Sequence, residues 1–215
     1  MFKTIFTKVV FIPLVFLLLI SVSLAPRAES SSFLLSACEL PHNEPQPEVI
    51  VEKPFNYWRT PVLGKGYIGF REALAFKESR GDYSCVNKYG YLGKYQFSPN
   101  TLKLIGIQTP YSFLSQPILQ EKAFLANAIR NKWVLRRYIK RYAGTYVNGV
   151  YITESGMIAA AHLAGPANVK RFFNSTGQTD FKDAFGTKLS HYLKRFSDYD
   201  TSELPAIQKP KANQL

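Results

Sequence analysis

The chain is poor in the residues that many chemistries require. Its three histidines, His42, His162 and His191, lie far apart, with no His-Glu-x-x-His or Cys-His cluster. No metal site is therefore legible and no cofactor is expected. No phosphate-cradling glycine loop is present, which sets aside the common nucleotide-binding loop, and there is no internal repeat. There are only two cysteines, Cys38 and Cys85. A bridge, a lipidated Cys38 and two free thiols all stay open, and a Cys85–His162 pair gives only a weak case for a cysteine peptidase. Acidic residues are scarce, 15 against 27 basic ones, for a net charge of +12.

What is present begins with an export signal. Lys3 and Lys8 precede an apolar run from Val9 to Ala25 that ends in small residues, so residues 1–28 read as a signal peptide cut after Ala25 or Ala28. The alternative is an uncleaved anchor, the run being near the lower limit for spanning a bilayer. Leu35-Ser36-Ala37-Cys38 has the form of a lipoprotein box and offers a second route to a membrane tether, although Arg27, Glu29 and serines separate it from the apolar run. Removing residues 1–28 takes away Lys3, Lys8 and Arg27 and no acid, leaving +9 in place of +12. Such a field attracts polyanions. Export argues against nucleic acid and for anionic wall polymers in a periplasmic or cell-envelope location.

Residues 29–66, with five scattered prolines, read as a linker. Residues 201–215 read as a disordered tail. Between them, residues 67–200 predict a single, mainly α domain. Helical spacing runs from Ile68 to Lys77, from Ser98-Pro99 to Gly106, from Ser115 and Pro117 to Gly144, and from Thr153 to Gly165-Pro166. Shorter helices are expected over 167–174 and 188–196. Tyr83 to Phe97, rich in glycine and aromatics, reads as a loop or small hairpin beside a groove.

Glu78 stands at the end of the first helix, followed by this sugar-friendly loop. Breaking a glycosidic bond needs a proton on the leaving oxygen, which a carboxylic acid supplies if apolar surroundings keep it protonated. Phe76, Tyr95 and Phe97 are the candidate walls. On residue type alone Glu78 is an ordinary solvated glutamate beside Lys77 and Arg80; its companions change that. Glu78-Ser79, then Asn87, Gly90, Gly93 and Tyr95-Gln96-Phe97, then Ala160-Ala161-His162-Leu163-Ala164-Gly165, resemble the lysozyme-like superfamily. More narrowly, they are similar to the catalytic domain of lytic transglycosylases, over residues 67–175. That family carries a Glu-Ser pair, a Gly-x-x-Gly-x-x-Gln-aromatic segment and an Ala-Tyr-Asn-x-Gly helix in this order.

The resemblance implies an α+β lysozyme-like fold and cleavage of peptidoglycan glycan strands. Glu78 would be the catalytic acid, and Ser79 would orient it or the substrate acetamide. Gln96 would bond the sugar, Tyr95 and Phe97 would line the groove, and Gly93 would let the backbone approach the glycan. His162-Leu163 departs from the family's Tyr-Asn, leaving His162 a candidate sugar contact or a packing residue. A hydrolase needs a second carboxylate, and among Asp82, Glu121, Glu154, Asp180 and Asp183 the sequence singles out none; Glu121 reads as solvated. Lytic transglycosylases need no such partner, so 1,6-anhydro ends are the expected product. The alternatives are a muramidase with an unidentified second acid and a non-catalytic wall-binding module.

Overall fold

The computed structural model describes residues 63–215. The signal and the lipoprotein box, with the linker up to residue 62 and Cys38, lie outside the described residues. Among the described residues no helix is long and apolar enough to cross a membrane.

The fold is mainly helical: α1 Tyr67–Ser79, α2 Pro99–Leu104, α3 Pro110–Phe113, α4 Pro117–Tyr142, α5 Glu154–Ala164, α6 Pro166–Asn174 and α7 Leu189–Arg195. Local chemistry explains most boundaries. The Ser98 hydroxyl accepts from the Thr101 amide at 3.1 Å, and the Thr153 hydroxyl accepts from the Gly156 amide at 3.1 Å, each satisfying an otherwise unpaired first-turn donor. Proline occupies the first turn of α2, α4 and α6, where its missing N–H is not needed. A two-stranded antiparallel ribbon, β1 Tyr146–Val147 and β2 Val150–Tyr151, joins α4 to α5. Asn148 and Gly149 turn it, both at positive φ, as a two-residue hairpin demands.

The centre of the core is α5, whose residues Ser155 to Ala161 are all buried and which packs on α4, α6 and α7. Its small residues allow close approach: a Cβ on Gly156 would run into the Leu193 carbonyl of α7. That contact fixes α7, and with it Tyr192, against the rest of the domain. Phe70, Leu74, Phe124, Phe172 and Phe196 are fully or almost fully buried. Each such side chain contributes roughly 1.5–3 kcal/mol relative to exposure.

Two boundary expectations are corrected. Residues 201–215 are not a loose tail. Leu204 and Ala212 enter the core, the Ile207 amide donates to the Ile129 carbonyl at 3.3 Å, and the Ala212 amide donates to the Ile105 carbonyl at 2.9 Å. The polar composition of this segment hides two apolar anchors that dock it on α4 and the end of α2. At the other end, residues 63–66 already belong to the fold, since the Lys65 carbonyl accepts from the Asp200 amide at 2.6 Å.

Candidate active site

Helix α1 runs two residues further than its periodicity predicts and carries Glu78 and Ser79 in its last turn. It stops because Arg80 and Gly81 both adopt positive φ, which folds their amides back onto the Phe76 and Ala75 carbonyls. Ser79 is a staple. Its hydroxyl donates to the Lys94 carbonyl at 2.8 Å and the Asp82 carbonyl at 3.3 Å, joining the helix end to the following loop. Among the described residues the Ser79 hydroxyl therefore holds the helix turn that carries Glu78 and makes no hydrogen bond to the Glu78 carboxyl itself.

Residues 86–97 form a tight hairpin-like loop, bridged at Val86–Leu92 and Leu92–Phe97. The Asn87 carboxamide accepts from the Tyr89 and Tyr91 amides at 2.9 and 3.1 Å and so shapes its tip. Gly93 sits at φ +73, and a Cβ there would collide with the Gln120 carboxamide. The glycine therefore makes room for Gln120, a buried side chain that accepts from the Lys94 amide and donates to the Tyr83 carbonyl, and not for a glycan. Tyr95 is likewise no groove residue: its ring stacks on Phe124 at 4.4 Å and it is fully buried. Phe97 is buried too, touching a neighbouring hollow and not the pocket of Glu78. With Gln96 turned to the pocket, its two neighbours turn to the core.

Glu78, Gln96 and His162 do come together. They share a small pocket of about 100 Å³ with Asp183, Tyr91 and Leu163. Tyr192 of α7 donates to Glu78 Oε1 at 2.7 Å. Burial raises the Glu78 pKa to about 7; the Tyr192 hydrogen bond and the Lys77 charge oppose the rise, and the Asp183 charge adds to it. Phe76, expected as a wall, is mostly exposed and lines another depression. The aromatic lip is made instead by Tyr89 and Phe185, which meet edge-on at 5.2 Å across the mouth.

Gln96 Nε2 donates to the Gly93 carbonyl at 2.8 Å, leaving Oε1 without a partner among the described residues. His162 is more fully committed. Nε2 lies 2.8 Å from the Tyr95 carbonyl, and Nδ1 lies 3.2 Å from Asn127 Nδ2. A carbonyl can only accept, so Nε2 carries the proton and Nδ1 accepts from Asn127. Burial lowers the His162 pKa to about 4, keeping the ring neutral. The histidine ties α5 to the loop and to α4, and it offers a ligand its ring surface, not a free nitrogen.

Of the remaining acids, Asp82 caps a turn through the Ser84 amide and hydroxyl. Glu154 binds Lys132 and Thr201, and Asp180 binds Ser190. Glu121 is not solvated: it accepts from Tyr83 and Tyr95 at 2.6 Å and pairs with Lys94 and Arg71. Asp183 alone shares the pocket with Glu78. Its Oδ1 accepts from the Phe185 and Thr187 amides at 2.9 and 2.7 Å, which anchors the loop carrying Phe185. Tyr192, Tyr89, Tyr91 and Phe185 are the site residues that sequence reasoning missed. Tyr192 in particular reads as one more apolar position of a short amphipathic helix. Cys85 is disulfide-bonded, which removes it as a nucleophile. Among the described residues no group of three or more His, Cys, Asp or Glu side chains is placed to hold a metal ion. Comparison with protein-family models, with curated proteins and with solved structures returned no match.

Proposed function

We propose that this protein is an exported peptidoglycan-cleaving enzyme of the lysozyme-like kind. It would act on the β-1,4 bond between MurNAc and GlcNAc as a lytic transglycosylase. The observation that carries this reading is Glu78: a carboxyl raised to about 7, lining a pocket that it shares with the exposed aromatics Tyr89 and Phe185. Near neutral pH a large share of it holds the proton that a leaving glycosidic oxygen needs. In the proposed cycle Glu78 donates that proton as the C1–O bond breaks. The resulting carboxylate then removes the proton of the C6 hydroxyl as O6 bonds to C1, closing a 1,6-anhydro ring. The acid is restored and no second carboxylate is used.

Asp183 favours a second reading, a muramidase in which it activates water or serves as the nucleophile. Product masses separate the two: a hydrolytic product is one water heavier than the anhydro form. If the lytic route operates, Asp183→Asn keeps the anhydro product and a rate within about tenfold of wild type, less than the loss expected on removing a catalytic group. Loss of activity together with hydrated products from wild type would hand the assignment to the muramidase. Retention on purified sacculi with no soluble fragment would instead mark a binding module.

Tyr192 offers a test of the proton chemistry. Its hydroxyl stabilises the charged form of Glu78, so Tyr192→Phe is expected to raise the glutamate pKa further. Activity that depends on the protonated acid then persists to higher pH, and the alkaline limb of the kcat/KM profile moves up. An alkaline limb unmoved by the substitution would count against Glu78 as the titrating group.

A further inference from the structure

The pocket of Glu78 does not end at Gln96. Tyr91, Gln96, His162 and Leu163 line both that pocket and a second hollow of about 270 Å³, bounded by α2, α4 and the corner between α5 and α6. Two adjacent residues of α4 give this hollow its chemistry. Asn131 is 2% exposed, yet its carboxamide makes no hydrogen bond with any described residue. None of its polar atoms is sealed off completely, so the group opens onto the hollow. Beside it, Arg130 is half-buried and makes neither an ion pair nor a side-chain hydrogen bond with any described residue. No carboxylate lines the hollow. Burial with no compensating anion lowers the Arg130 pKa, in agreement with a cation that lacks its counter-ion.

A half-buried guanidinium without a partner is partly desolvated at some cost, and buried polar groups such as the Asn131 carboxamide normally find partners. The other half-buried arginine among the described residues does so: Arg71 pairs with Glu72 and Glu121. A fork of N–H donors matches a planar carboxylate, whereas a neutral sugar hydroxyl provides neither the charge nor the two oxygens. We infer that the hollow is a subsite for a carboxylate substituent of the glycan, with Arg130 as its anchor and the Asn131 amide as a second donor. The inference rests on the proposed action on peptidoglycan. It makes the protein selective for acidic muramyl strands over neutral N-acetylglucosamine polymers. On such strands the carboxylate can be the lactyl group of a stem-free muramic acid or can belong to an attached peptide.

The test measures binding by the full chain carrying Glu78→Gln, which removes turnover. The probes are a neutral N-acetylglucosamine oligomer, glycan strands stripped of peptides, and strands that keep them. The carboxylate-bearing strands are expected to bind about 10- to 100-fold more tightly than the neutral oligomer, the range for a hydrogen bond to a charged group. Adding Arg130→Gln should erase that preference and leave the neutral oligomer within about twofold of its former affinity, as no charged contact with it is lost. Preference for stripped strands identifies the lactyl group, and preference only for peptide-bearing strands identifies the stem; both support the subsite. Asn131→Asp supplies the missing counter-ion from the protein itself, so it too should abolish the preference while leaving the domain folded. Equal affinity for all three probes, or an equal loss for all of them on Arg130→Gln, overturns the subsite and leaves glycan binding standing. Binding of none of them overturns the subsite and the peptidoglycan reading together.

Discussion

Glu78→Gln is expected to lower glycan cleavage by at least about 10²–10⁴-fold, the usual contribution of a general acid, without unfolding the domain. Glutamine matches the size of the glutamate and keeps an oxygen to accept from Tyr192, but it has no proton to give to a leaving alkoxide. The same substitution has a thermodynamic signature. The carboxyl has a pKa of about 7 in the fold against an ordinary value of 4.5. Between those values the folded state holds more protons than the unfolded one, so stability falls as pH rises through this window. By about a pH unit above the folded value the partly buried carboxyl carries almost its full charge. Glutamine removes it, and the variant should then be more stable than wild type by on the order of 1–2 kcal/mol, allowing for partial solvation. Thermal melts of the two proteins should coincide near pH 4.5 and separate by pH 8. Equal cleavage by both would remove Glu78 from the reaction, and parallel melting curves would remove its raised pKa.

The helices were legible because caps and periodicity are local. Ser98-Pro99 and Thr153 start α2 and α5 where expected, and α4 runs from Pro117 to the turn before Gly144. The β1–β2 ribbon escaped because two-residue strands carry no periodic signal, although Asn148-Gly149 is a hairpin turn signature. In the site, Glu78, Gln96 and His162 were legible as ordered motifs. Their chemistry was only partly so, since a motif does not say which atoms are already engaged. His162 spends both nitrogens inside the protein, and Tyr95 spends its hydroxyl on Glu121. The groups that tune Glu78 were out of reach for another reason. Tyr192 lies 114 residues downstream and arrives only through the packing of α7 on α5.

Glu121 had the opposite fate, reading as a solvated residue of an amphipathic helix and proving to be the hub of a part-buried charge network. The Lys94 side chain is 6% exposed and lies 2.9 Å from both Glu121 and Glu72, while Arg71 lies 3.0 Å from each of the same two carboxylates. Two cations and two anions balance. Glu121→Ala breaks that balance and also leaves the Tyr83 and Tyr95 hydroxyls without their acceptor. Removing one member of a buried pair costs about 3–5 kcal/mol, and because Glu72 remains, the lower end of about 3 kcal/mol is expected. For a domain of this size that lowers Tm by roughly 6–12 °C. Burial by itself would raise the Glu121 pKa, but the tyrosine hydrogen bonds and the Lys94 and Arg71 charges outweigh it and hold the pKa below its ordinary value. Its contribution is therefore present above the unfolded carboxyl value of about 4.3 and fades as pH falls through the lower folded value. The gap between wild type and Glu121→Ala should close in that acidic range. The double variant Lys94→Met, Glu121→Gln keeps Arg71 paired with Glu72 and should lose less stability than its two single variants combined. Simple additivity would mean that the four charges act independently. Activity should follow stability only in part. The Lys94 carbonyl accepts from Ser79 and its amide donates to Gln120, so the network also holds the helix turn that presents Glu78. Glu121→Ala should thus reduce kcat even at temperatures where the domain remains folded, and an unchanged kcat there would confine the network to stability.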